Sequence, residues 1–166
     1  TIDDLFEIYN YIRGQVTGDG IIVNESLMAS TSQVSGWVDG CAESVLFTVA
    51  WHDTSLRYVP RDPKGAGEIA VRLRSPGGRW LPRSATEFVR HAGDGYVSFT
   101  IRDPQPGLWT VEVATDRQRH TPYTVGGFVR SPLKLQLDVP TLVGVGDVIG
   151  VKTSVRDRRG AIDGVK

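Results

Sequence analysis

Cysteine is almost absent from this chain, and long apolar runs are absent altogether. The 166 residues include one cysteine, Cys41, so no intrachain disulfide is available. A chain of this length can still bury a core large enough to fold without such cross-links. No apolar stretch reaches the roughly 18 residues that a membrane-spanning helix needs. The sequence therefore predicts one core-stabilised domain, with or without short additional segments, and no membrane insertion.

An excess of charge of either sign is also missing. Nineteen basic and nineteen acidic residues give a formal net charge of zero. Binding to nucleic acid or to an anionic membrane surface relies on an excess of basic residues, so neither partner is expected. Only four of the nineteen basic residues are lysines. This preference for arginine indicates a coding bias or, as the sharper alternative, recognition of phosphate or carboxylate groups, which arginine binds in a fork.

One segment has helical periodicity. In "TIDDLFEIYNYIRG", which opens the sequence, apolar residues recur at three- and four-residue spacing and form one face of a helix. These residues are Ile2, Leu5, Phe6, Tyr9 and Ile12. Acidic residues near the start and Gly14 after the last apolar residue suit the two ends of a helix. The pattern predicts an N-terminal α-helix, and it is the only helix that the sequence indicates.

Apolar and polar residues alternate along most of the remaining chain, with turns rich in glycine and proline about every ten residues. The strongest such segment is "ESVLFTVAW", and others are "EIAVRLRS", "GYVSFTIRD" and "LWTVEVAT". Short strands at this spacing are typical of an antiparallel β-sandwich. We therefore predict an all-β fold, either immunoglobulin-like or jelly-roll-like, with the single N-terminal helix added to it.

Changes in the pattern divide the chain into three parts. Residues 1–31 are the helix and a linker, and they belong to this domain or to the end of an upstream one. Residues 32–131 are predicted to form the sandwich. The pair Ser131-Pro132 marks a boundary, because residues 132–166 contain two or three strands, too few for a core of their own. We expect them to open a second immunoglobulin-like unit or to dock as an extension. Both ends of the sequence look cut, so we expect a fragment of a longer protein.

Three segments together carry a resemblance to a known family. They are "FTVAWHDTSLRYV", "IAVRLRSPGGRW" and "IRDPQPGLWTVEVAT". The set resembles the β-sandwich that follows a von Willebrand factor A domain in bacterial surface proteins and in the calcium-activated chloride channel regulators. Its Pro-Gly-x-Trp strand is also similar to one in the P domain of subtilisin-like convertases. The last part of the chain, with "GDVIGVKTSVRDRRG", resembles the first strands of an immunoglobulin-like repeat.

The resemblance implies a non-catalytic accessory, spacer or adhesion module of a larger secreted or cell-surface protein. Such a module acts through protein–protein contact, either with neighbouring domains of the same chain or with a separate protein. Its expected location is extracellular or at the cell surface. The likeness to P domains implies, as an alternative, a module that stabilises an adjacent protease. No G-x-S-x-G elbow or other catalytic signature occurs, so no enzyme activity is predicted.

The sharpest candidate for a metal site follows the strongest strand. There Asp53 and Ser55 lie in "DTSLR", which is similar to the Asp-x-Ser-x-Ser pattern by which A domains hold a divalent cation. Carboxylate and hydroxyl oxygens suit Mg²⁺ or Ca²⁺. Arg57, however, takes the place of the second serine, and its charge repels a cation. The alternative is a turn in which Asp53 and Ser55 bond the local backbone. Structural Ca²⁺ held by loop aspartates is a further hypothesis, and no other cofactor is predicted.

The four tryptophans are the candidates for ligand binding. Trp51 and Trp109 are in phase with the apolar residues of their strands, so both are predicted to lie in the core. Trp37 is out of phase with its apolar neighbours and Trp80 follows a turn, so both are predicted to be exposed. An indole ring can stack on the C–H face of a sugar. Trp37 and Trp80 therefore predict a glycan-binding site as an alternative to protein contact.

Overall fold

The computed structural model of the chain describes residues 8, 12, 16, 18–60, 62–63, 65, 67–81, 88–115, 120–138, 144–146, 148, 150–157 and 160–161. Twelve β-strands lie within these residues. They are β1 (Gly20–Ala29), β2 (Thr31–Val38), β3 (Ser44–Trp51), β4 (Arg57–Val59), β5 (Glu68–Arg74), β6 (Phe88–Gly93), β7 (Tyr96–Arg102), β8 (Gly107–Thr115), β9 (Thr121–Arg130), β10 (Lys134–Asp138), β11 (Lys152–Asp157) and β12 (Gly160–Ala161). The chain divides into two compact units, Thr1–Arg130 and Ser131–Lys166.

The first unit contains two β-sheets. One has five strands in the order β1-β9-β3-β7-β6, and the other has four strands in the order β2-β8-β5-β4. All neighbouring strands run antiparallel except β4 and β5, which form a short parallel pair. The prediction of an all-β fold with antiparallel sheets is confirmed.

The predicted N-terminal helix is not seen, since no helix is among the described elements. Most of its residues lie outside the described part of the chain. Ile8, Ile12 and Val16 are described, each with helical backbone and an exposed side chain. Because these three side chains are exposed, they add nothing to the core.

The core lies between the two sheets of the first unit. Successive side chains of a strand point to opposite faces, so a strand with one buried face carries an apolar residue at every second position. β3 buries Val45, Phe47 and Val49, and β8 buries Trp109 and Val111. β2, β5, β7 and β9 add further residues to the same cluster, which are Val34, Val38, Ile69, Val71, Leu73, Val97, Phe99, Ile101, Tyr123, Val125 and Val129.

Strand β9 is the most deeply buried strand of the five-stranded sheet. It pairs with β1 on one side and with β3 on the other, and every residue from Tyr123 to Val129 is buried. A Cβ atom at Gly127 would lie 3.0 Å from Cβ of Val23 and 3.3 Å from the Phe47 ring. The glycine therefore allows neighbouring side chains to pack directly over the backbone of β9.

The chain passes from one sheet to the other at Ser30, the only residue between β1 and β2. The Ser30 carbonyl oxygen accepts hydrogen bonds from the Thr115 backbone N–H at 2.7 Å and from Thr115 Oγ1 at 3.1 Å. These two bonds fix the corner to the end of β8. Strand β1 thus belongs to the sandwich. The boundary expected from the sequence, between residues 31 and 32, lies within β2.

The second unit contains a three-stranded antiparallel sheet in the order β10-β11-β12. Leu135, on β10, is exposed and lies opposite Val155. No helix within the described residues of either unit is long and apolar enough to cross a membrane.

Candidate functional site

An exposed apolar pair lies on the outer face of the four-stranded sheet. β2 turns Val34, Gly36 and Val38 inward, so Trp37 points outward as predicted. The register places Trp37 directly opposite Leu108 of β8. Trp37 is 66% exposed and Leu108 is 51% exposed. Side chains opposite each other in adjacent strands are close enough to touch. We call this pair the Trp37–Leu108 patch.

The residues next to the patch on the same face are polar and bonded to each other. The Ser35 and Thr110 hydroxyl oxygens, on neighbouring strands, lie 3.0 Å apart. One pair further along, the amide Nε2 of Gln33 donates to Glu112 Oε2 at 2.9 Å. From the other side Arg72 Nε donates to Glu112 Oε1, also at 2.9 Å. Three strands therefore share one row of hydrogen bonds centred on Glu112.

Trp80 lies at the far side of this sheet, where it forms an isolated antiparallel bridge with Arg74. The guanidinium carbons of Arg72 and Arg74 lie 4.8 Å and 5.4 Å from the centre of its ring. Such contacts between a cation and an aromatic face stabilise the cluster by about 0.5–1 kcal/mol each at exposed sites. Arg72 also pairs with Asp62 at 2.9 Å. The Trp80 ring is partly buried and is already in contact with two guanidinium groups, unlike that of Trp37.

The structure does not bring the two predicted glycan-binding tryptophans together. Trp37 is on the edge strand β2, whereas Trp80 lies beyond β5, three strand spacings away. At about 4.8 Å a spacing, this is a lateral separation of about 14 Å. The two side chains therefore do not form one continuous aromatic platform.

The predicted metal ligands lie in a turn. The Asp53 carboxylate accepts hydrogen bonds from the Ser55 backbone N–H at 3.0 Å and from the Ser55 hydroxyl. The Asp53 carbonyl oxygen accepts a bond from the Leu56 N–H at 2.9 Å. These are the bonds of an Asx turn, which is the alternative that the sequence left open. Among the described residues, no group of three histidine, cysteine or acidic side chains is arranged to hold a metal ion.

Trp51 and Trp109 are buried, as their phase in the strands predicted. Each is 3% exposed. Each indole N–H also has an acceptor, since Trp51 Nε1 donates to the Leu56 carbonyl at 3.1 Å and Trp109 Nε1 donates to the Gln105 carbonyl at 2.8 Å. A buried indole needs such a partner to avoid the cost of an unpaired donor. Both tryptophans are core residues and anchor a loop as well.

The sequence does not reveal the neighbours of Trp37 and Trp80. Nothing in the sequence aligns Leu108 of β8 with Trp37 of β2. Nothing in the sequence assigns a partner to Arg72 or Arg74 of β5. The alternation "VRLR" is the signal for two guanidinium groups on one face, and only the register shows that Glu112 and Trp80 meet them.

No family model matches the chain, and no curated protein matches it. Among solved structures, it is similar to a Bacillus licheniformis lipase, BlEst2, whose crystal structure is of the propeptide form. The TM-score is 0.45 and the sequence identity 14%, over 68% of this chain. The match spans 22% of the lipase chain. A likeness at this level carries no argument about activity, so the function has to be argued from the residues.

Proposed function

We propose that this chain is a non-catalytic module that binds another protein through the Trp37–Leu108 patch. The observation that carries the proposal is the exposure of these two large apolar side chains, paired side by side on a rigid sheet face. Apolar surface removed from water stabilises a complex by about 25 cal/mol per Å². Tryptophan is also enriched among the few residues that dominate binding energies at protein interfaces.

The neighbouring polar groups favour a protein partner over a glycan. A glycan presents many hydroxyl groups, and its recognition needs polar side chains with unused hydrogen-bonding capacity close to the aromatic ring. Ser35 and Thr110 bond each other, and Glu112 is engaged from both sides. Such a face suits a partner that covers an apolar pair and leaves the polar row intact. A single exposed Trp37 beside hydroxyl groups still makes glycan binding the second candidate.

We infer that the sandwich is jelly-roll-like rather than immunoglobulin-like. The support is the order of the strands: the first strand, β1, and the last, β9, are hydrogen-bonded neighbours in one sheet. In a constant-type immunoglobulin domain the first and last strands lie in different sheets. Six of the eight connections between successive strands of the first unit also cross from one sheet to the other, and only β4–β5 and β6–β7 stay within a sheet.

The sequence resemblance alone supports a proposal for the larger protein to which the module belongs. We propose that it is an accessory, spacer or adhesion unit of a larger extracellular or cell-surface protein, with neighbouring domains or a separate protein as its partner. The three segments that resemble the sandwich after a von Willebrand factor A domain support this setting.

Site-specific photo-crosslinking tests the proposed contact. A photoreactive phenylalanine analogue at position 37 is expected to capture a defined protein from an extract of the producing cells. The captured protein is then purified and its Kd for the chain measured. Trp37→Ser combined with Leu108→Ser is expected to weaken that binding at least about 100-fold, since both are central apolar contacts.

Tyr96→Ser is the matched control, because Tyr96 is an exposed aromatic residue on the other sheet. It is expected to leave the Kd unchanged. Equal binding by the Trp37/Leu108 double variant would reject the patch as the contact surface. Binding to a glycan array that disappears in Trp37→Ala, with no protein partner, would replace protein contact with glycan recognition.

A further inference from the structure

A pocket of about 240 Å³ lies at one end of the sandwich, apart from the Trp37–Leu108 patch. Two loops and the end of β7 form it: the turn over residues 75–81 that follows β5, and the connection over residues 103–106 between β7 and β8. Its apolar lining comes from Leu81, Ile101 and Trp109. The pocket therefore opens where the core ends between the two sheets.

Hydrogen bonds hold both loops in place. In the first, the Ser75 N–H donates to the Arg79 carbonyl at 2.9 Å, and the Leu81 N–H donates to the Leu73 carbonyl at 2.8 Å. In the second, the Gln105 carbonyl accepts the Trp109 indole N–H at 2.8 Å. Because the walls are already fixed, a ligand loses little free energy to ordering them.

Two arginines lie in the described lining of the pocket. Arg79 comes from the first loop and Arg102 from the end of β7, and both are exposed. Asp103 is the one acidic side chain among the described lining residues, and Ser75 and Gln105 supply neutral polar groups. The described lining thus places two guanidinium groups beside one carboxylate. Guanidinium groups bind a carboxylate through two parallel N–H···O bonds.

The size of the pocket limits its ligand. Its volume is about 240 Å³. This is smaller than the pockets that enclose drug-sized ligands, which begin at about 300 Å³. A compact group with a short apolar stem fits these dimensions.

We propose that this pocket binds a short organic carboxylate, as a free small acid or as an acidic side chain of a peptide. Arg79 and Arg102 pair with the carboxylate, and the stem of the ligand lies against Leu81, Ile101 and Trp109. The proposal is independent of the protein contact at the Trp37–Leu108 patch.

Substitution of Asp103 distinguishes a carboxylate ligand from a neutral sugar. Its carboxylate repels an anionic ligand, so Asp103→Asn is expected to tighten carboxylate binding by about threefold. A sugar would instead lose a strong acceptor for its hydroxyl groups and bind more weakly. Asn is well suited to the site, because the Asp103 backbone has a φ of 45° and asparagine adopts this left-handed region readily.

The test is an NMR titration of the chain with succinate, which carries two carboxylates, and with succinamide, its uncharged counterpart. Succinate is expected to shift the backbone amides of residues 75–81 and 101–105, and succinamide is not. A short peptide with blocked ends and one glutamate, titrated in the same way, tests whether the carboxylate comes from an acidic side chain. If only the peptide shifts these amides, the carboxylate belongs to a protein ligand. If the peptide and succinate both shift them, any short acid can supply it.

Arg102→Gln is expected to weaken succinate binding at least about tenfold. Arg57→Gln, at an exposed arginine outside the pocket, is the control and is expected to change nothing. If Arg102→Gln does not fold, Arg79→Gln provides the same comparison. No shift with either acid, equal shifts with succinamide, or weaker succinate binding in Asp103→Asn would each overturn the proposal.

Discussion

The rings of Phe47 and Trp109 meet across the core, with centroids 6.3 Å apart and planes tilted by 35°. Phe47 comes from the five-stranded sheet and Trp109 from the four-stranded sheet. Tilted aromatic pairs at this separation add about 0.5–1.5 kcal/mol beyond the area that they bury. This contact joins the two sheets of the sandwich, and the Trp109 indole N–H fixes the loop before β8 as well.

Trp109→Ala is expected to lower the free energy of unfolding by about 3–5 kcal/mol, because it leaves a large cavity between the sheets. Urea unfolding followed by circular dichroism measures the change. Trp37→Ala removes the same side chain from the surface and is expected to change stability by no more than about 0.5 kcal/mol. Similar losses in the two variants would show that Trp37 also packs in the core.

Glu112→Ala is expected to destabilise the sandwich by about 1–3 kcal/mol. The Glu112 side chain is 10% exposed, and its removal leaves Arg72 and Gln33 without their shared acceptor. Arg57→Ala is the control, because its 3.7 Å pair with Glu68 has the arginine side chain 80% exposed. Surface pairs of this kind contribute about 0–1 kcal/mol.

A double-mutant cycle with Arg72→Ala isolates the coupling between Glu112 and Arg72. We expect a coupling free energy of about 0.5–3 kcal/mol, measured by thermal or urea unfolding of the four proteins. Additive effects would mean that the two side chains act independently.

Gly107→Ala is expected to cost about 2–4 kcal/mol of stability. Gly107 has a φ of +125°, which strains any residue with a Cβ atom, and that atom would lie 2.9 Å from Cβ of Pro76. At Gly77, two residues after Ser75, the nearest atom would be 4.0 Å away. Gly77→Ala is therefore expected to leave the thermal midpoint unchanged or to raise stability by up to about 1 kcal/mol.

Stability is expected to fall at alkaline pH because of Tyr123. Burial raises the pKa of its hydroxyl above the ordinary 10.0, and the hydrogen bond with Ser32 lowers it in part. The unfolded tyrosine loses its proton near pH 10.0, whereas the folded one keeps it to higher pH. The stability linked to this group is thus complete below pH 10.0 and is lost as pH rises through the raised pKa.

Tyr123→Phe isolates this effect. At neutral pH the variant loses the bond to Ser32 and about 1 kcal/mol of stability. Between neutral and strongly alkaline pH its stability is expected to fall less steeply than that of the unchanged chain, in urea unfolding at a series of pH values. Parallel pH profiles would show that Tyr123 ionises equally in the folded and unfolded states.

Local patterns in the sequence were sufficient to predict much of the sandwich. The alternation along β3, β5, β7 and β8 assigned to one face the apolar residues that the structure places in the core. The segment "GDG" around Asp94 connects β6 and β7, and glycine and aspartate between two strands are the sequence signal for such a tight turn. Trp109 was assigned to the core by its phase with Val111 and Val113.

These local patterns do not predict which distant strands pair with each other. β9 lies between β1 and β3, and its neighbours in space are distant in sequence. Strand register, which depends on the whole set of packed faces, brings Leu108 to Trp37 and Glu112 to Arg72. The parallel pair of β4 and β5 was missed as well, because three residues are too few to show a period. The pocket is formed by two loops that only the folded sheets bring together.

The pairing of β1 with β9 determines how the sandwich responds to tension. Gly20 lies opposite Val129, and Arg130 forms an ion pair with Asp19 at 3.2 Å, so the chain enters and leaves the sandwich at the same end of one ladder. Tension applied at residues 19 and 130 opens that ladder one hydrogen-bonded pair at a time. Pulling at residues 29 and 130 instead loads the whole ladder along the strands, and we expect a higher rupture force in single-molecule pulling. Under tension at residues 19 and 130, by contrast, the β1–β9 ladder opens from its end at low force.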